Sequence, residues 1–172
     1  KTGTDRIYDA FKKLAKVDIE LIMNLQGDEP LMDVEDIKKL HSQMIKTKSK
    51  LGTLASNILD KRSFQNKNIV KVVTKESLDN SEFPEALNFI REPINEKENI
   101  YHHLGIYCYQ PKTLQDFISL NQSQNEIKNK LEQLRALDNN IKINVALAKT
   151  SPIGVDTEED FLAIKKIMEY KS

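Results

Sequence analysis

Short runs of β-branched residues alternate with segments of helical periodicity along this chain of 172 residues. Residues 69–73 are β-branched and bounded by polar residues, which is typical of a strand. Residues 33–46 instead place Ile37, Leu40, Met44 and Ile45 on one helical face. Because strands alternate with helices, the pattern predicts an α/β fold with a mixed, mostly parallel sheet flanked by helices.

The same periodicities predict the other elements. Helices are predicted over residues 4–15, 112–120, 126–137 and from residue 157 onwards. Strands are predicted over residues 19–23, 52–56, 88–91, 103–109 and 143–148. In the last helix, Phe161, Ile164, Ile167 and Met168 are expected to face inward. No repeat or low-complexity linker divides the chain, whose length suits one domain or a large part of one.

The charge balance bears on possible partners. Twenty-six basic and twenty-six acidic residues cancel, so no global attraction to nucleic acid or to an anionic membrane is expected. No apolar run approaches the roughly 20 residues that a membrane span needs. The single cysteine, Cys108, excludes an internal disulfide and favours a reducing cytoplasm. We therefore expect a cytoplasmic protein without nucleic-acid or membrane partners.

An acidic turn follows the first predicted strand. Residues 24–30 contain Asp28 and Glu29 directly after an apolar run. Ligands bind at the carboxyl ends of strands in open α/β sheets, and two carboxylates there can hold a hard cation such as Mg²⁺. The alternative is a solvated turn in which two acids happen to adjoin, since short acidic turns are common in loops.

A second acidic segment precedes the last predicted helix. Gly154 permits a turn, Asp156 stands just before the helix, and Thr157 can cap it. A helix amino terminus attracts anions, and a nearby aspartate can carry the metal that such anions bring. The alternative is a simple cap with acids that favour the helix dipole, which is the expected role of residues 158–160.

Two polar clusters stand between these acidic segments. His102 and His103 can each donate to a sugar hydroxyl or carboxylate, but strand neighbours face opposite sides, so only one is expected to reach a pocket. Gly105 in the same strand indicates a close approach of another part of the chain. Glu132 and Gln133 offer donors and acceptors on one helical turn. The alternatives are a structural histidine and an ordinary exposed helix face, and zinc is disfavoured because ligand spacing is absent.

Seven short motifs follow one another in a recognisable order. They are TGTDR at 2–6, QGDEP at 26–30, VKVV at 70–73, REPI at 91–94, HLGIY at 103–107, LEQLR at 131–135 and GVDT at 154–157. In order and spacing, this set resembles the family of 3-deoxy-manno-octulosonate cytidylyltransferases, also called CMP-Kdo synthetases. The resemblance covers essentially the whole chain.

The resemblance implies an activity and a fold. Members transfer a cytidylyl group from CTP to the sugar acid Kdo and release pyrophosphate, for lipopolysaccharide biosynthesis. The implied fold is the Rossmann-like nucleotide-sugar transferase fold. By similarity, Asp28 and Asp156 would be the catalytic Mg²⁺ ligands, which agrees with two acidic strand ends meeting at one sheet edge. The metal would neutralise the triphosphate and orient the anomeric hydroxyl for in-line attack on the α-phosphorus.

The resemblance also implies binding residues and an assembly. The residues expected to line the sugar-acid pocket are Gln26, Arg91, His103, Tyr107, Glu132 and Gln133. The forked donors of Arg91 suit a carboxylate. The residues expected near the nucleotide are Gly3, Asp5 and Arg6. Relatives make their dimer contact around the strands of Arg91 and His103, so a homodimer is expected.

Relatives begin with a glycine-bearing phosphate loop and further β-α units to which no segment here corresponds. Residues 1–172 are therefore expected to be the carboxyl-terminal part of a single cytidylyltransferase domain, with the amino-terminal units missing and little activity alone. The alternatives are a non-catalytic remnant, a related sugar-acid nucleotidyltransferase, or a metal-dependent hydrolase or glycosyltransferase-like domain. The last class would not need Gln26, His103 and Gln133.

Overall fold

The computed structural model describes residues 3–14, 18–92, 99–151, 154–155 and 157–171. Its helices are α1 (Gly3–Leu14), α2 (Val34–Thr47), α3 (Lys61–Gln65), α4 (Pro111–Ser119), α5 (Gln124–Asn129), α6 (Leu134–Asp138) and α7 (Glu158–Lys171). Its strands are β1 (Ile22–Asn24), β2 (Leu51–Ser56), β3 (Lys71–Thr74), β4 (Ala86–Ile90), β5 (Ile100–Tyr109) and β6 (Asn144–Leu147). None of the helices in these ranges is both long and apolar enough to cross a bilayer.

The six strands form one mixed sheet. Their order is β4-β3-β5-β2-β6, and β1 also pairs with β5. The α/β class is confirmed, but the prediction of a mostly parallel sheet is wrong, because only β2 and β6 pair in parallel. β1, β2, β3 and β6 do run in one direction, as alternation with helices predicts. β5 runs against them and lies between β3 and β2, which makes its pairings antiparallel.

One edge of β5 carries two strands placed end to end. Asn24 at the end of β1 pairs with Tyr107, whereas Lys71 at the start of β3 pairs with His102. The stretch of β5 between these pairings, around Gly105, therefore faces a gap in the sheet. The acidic turn that follows β1 begins at this gap.

The opposite edge of β5 is irregular at the same level. Thr53 of β2 pairs with Tyr107, while the next residue, Leu54, pairs with Leu104. β5 thus has two more residues than β2 in this interval, which is a bulge. Bulges re-aim side chains next to functional sites, and this one lies directly across β5 from the gap.

The core lies on both faces of the sheet. On one face, α2 packs Leu40 and Met44 against Leu54 and Ile106. The other face carries a larger cluster that includes Tyr107 of β5 and residues of α4 and α6. Neighbouring residues of β5 enter different clusters because side chains alternate across a strand.

Two predicted helical details are wrong. Residues 126–137 form two helices, because Lys130 adopts a left-handed conformation with φ of 54° and ends α5. On α7, Ile164 is buried, but Phe161 and Met168 are exposed. α7 lies beside the turn at residues 27–30, which covers only part of its apolar face.

Candidate functional site

A cavity of about 890 Å³ opens at the gap in the sheet beside β5. Segments that are far apart in the sequence meet around it, so only the folded chain assembles this site. The predicted residues that line it are Gln26, Asp28, Arg91, His103, Tyr107, Glu132 and Gln133. Every predicted sugar-acid residue therefore reaches one cavity, together with one of the two predicted metal ligands.

The acidic turn is fixed against β5 by Glu29. Its Oε1 accepts a hydrogen bond of 2.8 Å from the backbone N–H of Gly105. A Cβ at residue 105 would lie only 3.1 Å from side-chain atoms of Gln26 and Glu29. The predicted close approach at Gly105 is confirmed. The two acids of the turn thus differ, since Glu29 holds the turn in place and Asp28 is exposed at the cavity.

The second acidic segment touches the first. The backbone N–H of Val155 donates to the backbone carbonyl of Asp28 at 2.8 Å. Asp156 lies outside the described residues, so its pairing with Asp28 stays a prediction. Thr157 on its far side lines the cavity. Within the described ranges, no three His, Cys, Asp or Glu side chains form a group that could hold a metal.

Asp36 anchors the chain that leads to this second segment. It is buried on α2, and its carboxylate accepts from the N–H of Lys149 at 2.9 Å and from the N–H of Thr150 at 3.4 Å. The Thr150 hydroxyl lies 3.3 Å from the same carboxylate. Sequence reasoning missed this role, because an acid in the first turn of a helix is ordinarily a partner of the helix dipole.

Both histidines line the cavity, so the prediction that only one would reach it is wrong. The cavity opens at an edge of β5, where side chains from both faces can enter. His102 lies 2.9 Å from the Ser151 hydroxyl through Nδ1. His103 lies 3.0 Å from the Thr53 hydroxyl through Nε2. Burial, reinforced by the charge of His102, lowers the pKa of His103 to about 3, so its imidazole is neutral at pH 7.

Tyr107 forms an aromatic wall of the cavity. Its ring centroid lies 5.5 Å from that of His103 and 6.0 Å from that of Tyr109. Burial, followed by the charges of neighbouring acids, raises the pKa of Tyr107 well above its ordinary value. The phenol therefore keeps its proton and can donate a hydrogen bond to a ligand.

Arg91 presents a cation to the cavity. Its Nη1 donates to the carbonyls of Lys67 at 3.3 Å and Asn68 at 3.4 Å, and its Nε to that of Asn129 at 3.5 Å. These carbonyls position the guanidinium without neutralising it. Among the described residues, no carboxylate forms an ion pair with Arg91, so its charge is available to an anionic ligand.

Lys71 holds the segment that carries Arg91. It is fully buried, and its Nζ donates to the backbone carbonyls of Asn66 and, at 3.0 Å, of Arg91. Burial lowers the pKa of Lys71, and the charge of Arg91 adds to this effect. The VKVV motif thus contributes a buried support to the cavity wall.

The turn between α5 and α6 supplies Glu132 and Gln133. A buried ion pair supports it: Arg135 donates from Nε and Nη2 to the Glu126 carboxylate at 2.8 Å and 2.5 Å. The hydrogen bond to Glu126 is the main cause of the raised pKa of Arg135. Oε1 of Glu132 is buried without a hydrogen-bond partner in the described residues, 3.8 Å from Arg135. This turn is therefore part of the site and not an exposed helix face.

The three predicted nucleotide residues lie at the start of α1. Gly3, Asp5 and Arg6 do not line the cavity within the described part of the chain, and their role stays a prediction. Thr4 between them is buried, lines the cavity and hydrogen-bonds the Tyr109 hydroxyl.

A loop missed by sequence reasoning borders the cavity at residues 57–60. Asp60 ends it and caps α3, accepting from the backbone N–H of Ser63 at 2.8 Å. The side chain of Leu59 is 84% exposed at the cavity mouth. In the sequence this loop is marked only by the Asp–x–x–Ser helix cap at its end, and a helix cap does not indicate a binding site.

Comparisons with known proteins find relatives in sequence and in fold. A sequence model of the cytidylyltransferase family matches residues 1–143. The 3-deoxy-manno-octulosonate cytidylyltransferase of Thermodesulfovibrio yellowstonii is 39% identical over 183 residues, covering 97% of this chain and 69% of the relative. That of Bartonella tribocorum is 36% identical over 174 residues, covering 98% and 69%. A CMP:2-keto-3-deoxy-manno-octonic acid synthetase complexed with CTP superimposes with a TM-score of 0.85 at 29% identity, covering all of this chain and 70% of that one.

Proposed function

This chain belongs to the 3-deoxy-manno-octulosonate cytidylyltransferase family, and we propose that it transfers a cytidylyl group from CTP to Kdo for lipopolysaccharide biosynthesis. The observation that carries the proposal is the single cavity that gathers Arg91, His103 and Gln133 beside the acidic turn of Asp28. Because a metal-dependent hydrolase would not need Gln26, His103 and Gln133, which all line this cavity, cytidylyl transfer to a sugar acid is favoured over hydrolysis.

The sugar acid would bind on the side of the cavity formed by β5 and the turn between α5 and α6. Arg91 would receive its carboxylate, since the guanidinium is held by carbonyls and carries no paired acid in the described chain. The buried Oε1 of Glu132 would accept from a sugar hydroxyl. Tyr107, which stays protonated, would donate to a sugar oxygen.

Asp28 and Asp156 would hold Mg²⁺ on the opposite side. The residues fit a hard cation, because carboxylate oxygens are its preferred ligands and the N–H of Val155 joins the two segments at 2.8 Å. When bound, Mg²⁺ supplies positive charge that neutralises the triphosphate.

The reaction requires the anomeric hydroxyl of the sugar acid to attack the α-phosphorus of CTP while the bond to pyrophosphate breaks. The chain contributes mainly by placing the two substrates. Arg91 fixes the acid from one side, and the turn at Gln26, held by Glu29 against Gly105, sets the other side. Positioning of this kind lowers the entropic cost of bringing two reactants together.

Pyrophosphate release from CTP across a panel of sugar acids tests the proposal, using the full-length protein because this chain spans about 70% of its relatives. Arg91→Ala should raise KM for the sugar acid about tenfold or more with little change in KM for CTP, since a charge-assisted bond is lost. Arg62→Ala on α3, an exposed arginine that does not itself line the cavity, is the matched control. Absence of release with every sugar acid would refute the activity, and equal effects on both substrates would refute the role of Arg91.

We also propose that the protein is a cytoplasmic homodimer. Leu87 is exposed on β4, an edge strand of the sheet close to the segment of Arg91, and this supports an interface there. The buried thiol of Cys108, whose pKa burial raises to about 12, suits a reducing compartment. Sedimentation equilibrium of wild type and Leu87→Lys tests the dimer, and a monomeric wild type at micromolar concentration would contradict it.

A further inference from the structure

Thr53 has a buried hydroxyl that touches three polar atoms of β5. The residue is fully buried on β2, beside the bulge. Its Oγ1 lies 2.6 Å from the carbonyl oxygen of Ile106 and 3.3 Å from that of Leu104. It also lies 3.0 Å from Nε2 of His103. Sequence reasoning gave Thr53 no role, because it belongs to none of the seven motifs.

The number of hydrogens in this group settles the protonation of His103. A hydroxyl has one hydrogen to donate, and carbonyl oxygens only accept. At 2.6 Å the Thr53 hydrogen must point to the Ile106 carbonyl, since two oxygens so close without a hydrogen between them would repel. Oγ1 can then only accept from Nε2 of His103. His103 is therefore the tautomer with its proton on Nε2, and its Nδ1 carries a bare lone pair.

The ring cannot easily rearrange or take up a second proton. Phe89 packs edge-on against the His103 ring, with the two ring centroids 5.0 Å apart. The ring of Tyr107 also contacts it, with a centroid distance of 5.5 Å. Burial keeps the imidazole neutral at pH 7. None of the described residues donates a hydrogen bond to Nδ1, although the ring lines the cavity.

We propose that Thr53 is a positioning residue that locks this tautomer, so that His103 accepts a hydrogen bond from a hydroxyl of the sugar acid. A ligand carboxylate has no hydrogen to give and would be repelled by a bare nitrogen lone pair, whereas a sugar hydroxyl can donate to it. Arg91 binds the carboxylate of the sugar acid, and His103 accepts a hydrogen bond from a hydroxyl elsewhere on it. The identity of the ligand rests on the proposed function, but the tautomer does not.

Nitrogen-15 NMR of the histidine side chains in the full-length protein tests the tautomer directly. Long-range proton–nitrogen correlations distinguish the two neutral forms from the cation, and His103→Asn assigns the signals among the three histidines. We expect Nε2–H in wild type at pH 7 and in Thr53→Ser, which keeps the hydroxyl. In Thr53→Val, His103 should lose its preference for the Nε2–H tautomer. An Nδ1–H form or an imidazolium in wild type would overturn the inference, whichever way the variants behave.

Steady-state kinetics test the effect on the sugar acid. Thr53→Val should raise KM for the sugar acid about tenfold, the factor expected for one misplaced hydrogen bond, with KM for CTP within about twofold. Thr53→Ser, which keeps the hydroxyl, should have a KM for the sugar acid within about threefold of wild type. If the role of Thr53 were only structural, its loss would instead lower kcat for all substrates alike. Thr53→Val with unchanged KM would refute the positioning role. Failure of cytidylyl transfer in wild type, with the tautomer confirmed, would refute the proposed function alone.

Discussion

The two sides of the cavity, proposed above to hold the sugar acid and the metal, are built differently. On the sugar-acid side, His103, Gln133 and Tyr107 are buried, and ion pairs or hydroxyls within the core hold their surroundings. On the metal side, Asp28 is exposed on a turn, and a contact between two backbones joins it to the segment of Asp156. The first side is preformed by packing, whereas the second consists of loops at the end of strands.

This difference predicts how the two sides respond to substitution. Changes on the sugar-acid side should alter both stability and selectivity, because the same contacts serve the core and the ligand. Changes on the metal side should alter turnover and leave stability almost unchanged, since an exposed side chain contributes little to folding.

The largest effect is expected on the metal side. Asp28→Ala should lower kcat by about a thousandfold, because it removes the carboxylate proposed to hold the ion that neutralises the triphosphate. The melting temperature should stay the same. Asp79→Ala, an exposed aspartate outside the cavity, serves as the matched control. Titration calorimetry with CTP and Mg²⁺ checks the cause, and unchanged affinity in Asp28→Ala would count against its metal role.

The next effect concerns the ion pair beneath the sugar-acid side. Arg135→Met should lower the free energy of unfolding by about 3–5 kcal/mol, because Glu126 would stay buried without its partner. Urea unfolding gives the value. Adding Glu126→Leu should recover part of the loss, since the buried Glu126 carboxylate is then removed, while Glu132 still lacks the cation that lies 3.8 Å from it in the wild type.

An exposed ion pair at a similar distance provides the control for this prediction. Lys112 and Asp116 lie 2.6 Å apart on α4, and both are largely exposed. Lys112→Ala should cost no more than about 0.5 kcal/mol, because solvent screens the pair. If Arg135→Met and Lys112→Ala lowered the free energy of unfolding equally, the sugar-acid side would be supported no better than an exposed surface.

A pH effect should follow from His103 on the same side. Its pKa in the folded state, about 3, lies below the 6.5 of an exposed histidine, so the unfolded chain binds an extra proton between these values. Stability should therefore fall as the pH drops through this window, by at most about 1.4 kcal/mol per pH unit from this group. His103→Gln should show a shallower loss in urea titrations from pH 6.5 to 4. An unchanged slope in the variant would show that His103 is not the cause.

The smallest effect is expected at Gly105, where the two sides of the cavity meet. In Gly105→Ala the new Cβ would lie 3.1 Å from Gln26 and Glu29, whose side chains must shift by a few tenths of an ångström. We expect KM for the sugar acid to rise about threefold, with stability nearly unchanged. Gly27→Ala in the same turn, where a Cβ meets no atom within 4 Å, should leave KM as it is. Similar values for both variants would argue against the close approach as the cause.

Local features of the fold could be predicted from the sequence, and pairings could not. The β-branched run at residues 69–73 and the helical face of Leu40 and Met44 mark their own elements, since periodicity follows from burial on one face. The antiparallel course of β5 depends on which strands lie beside it, and periodicity does not carry that information. The break between α5 and α6 was hidden because lysine rarely adopts the left-handed conformation of Lys130.

The residues of the candidate site also fall into those that the sequence predicts and those that it does not. Asp28, His103 and Gln133 were found because they belong to short motifs, and Gly105 was found because a glycine inside a strand indicates close contact. Thr53 and Asp36 were missed because a buried hydroxyl or helix-terminal acid looks the same in the sequence whether or not it supports a site. Their roles appear only when the partner atoms, far along the chain, are in place.

The link between Val155 and Asp28 uses peptide atoms alone, so it is indifferent to the side chains that either residue carries. Point replacements there should preserve the junction, whereas inserting or deleting one residue in either loop would pull the amide and carbonyl out of register. During divergence, the lengths of these loops should thus be constrained more tightly than their composition.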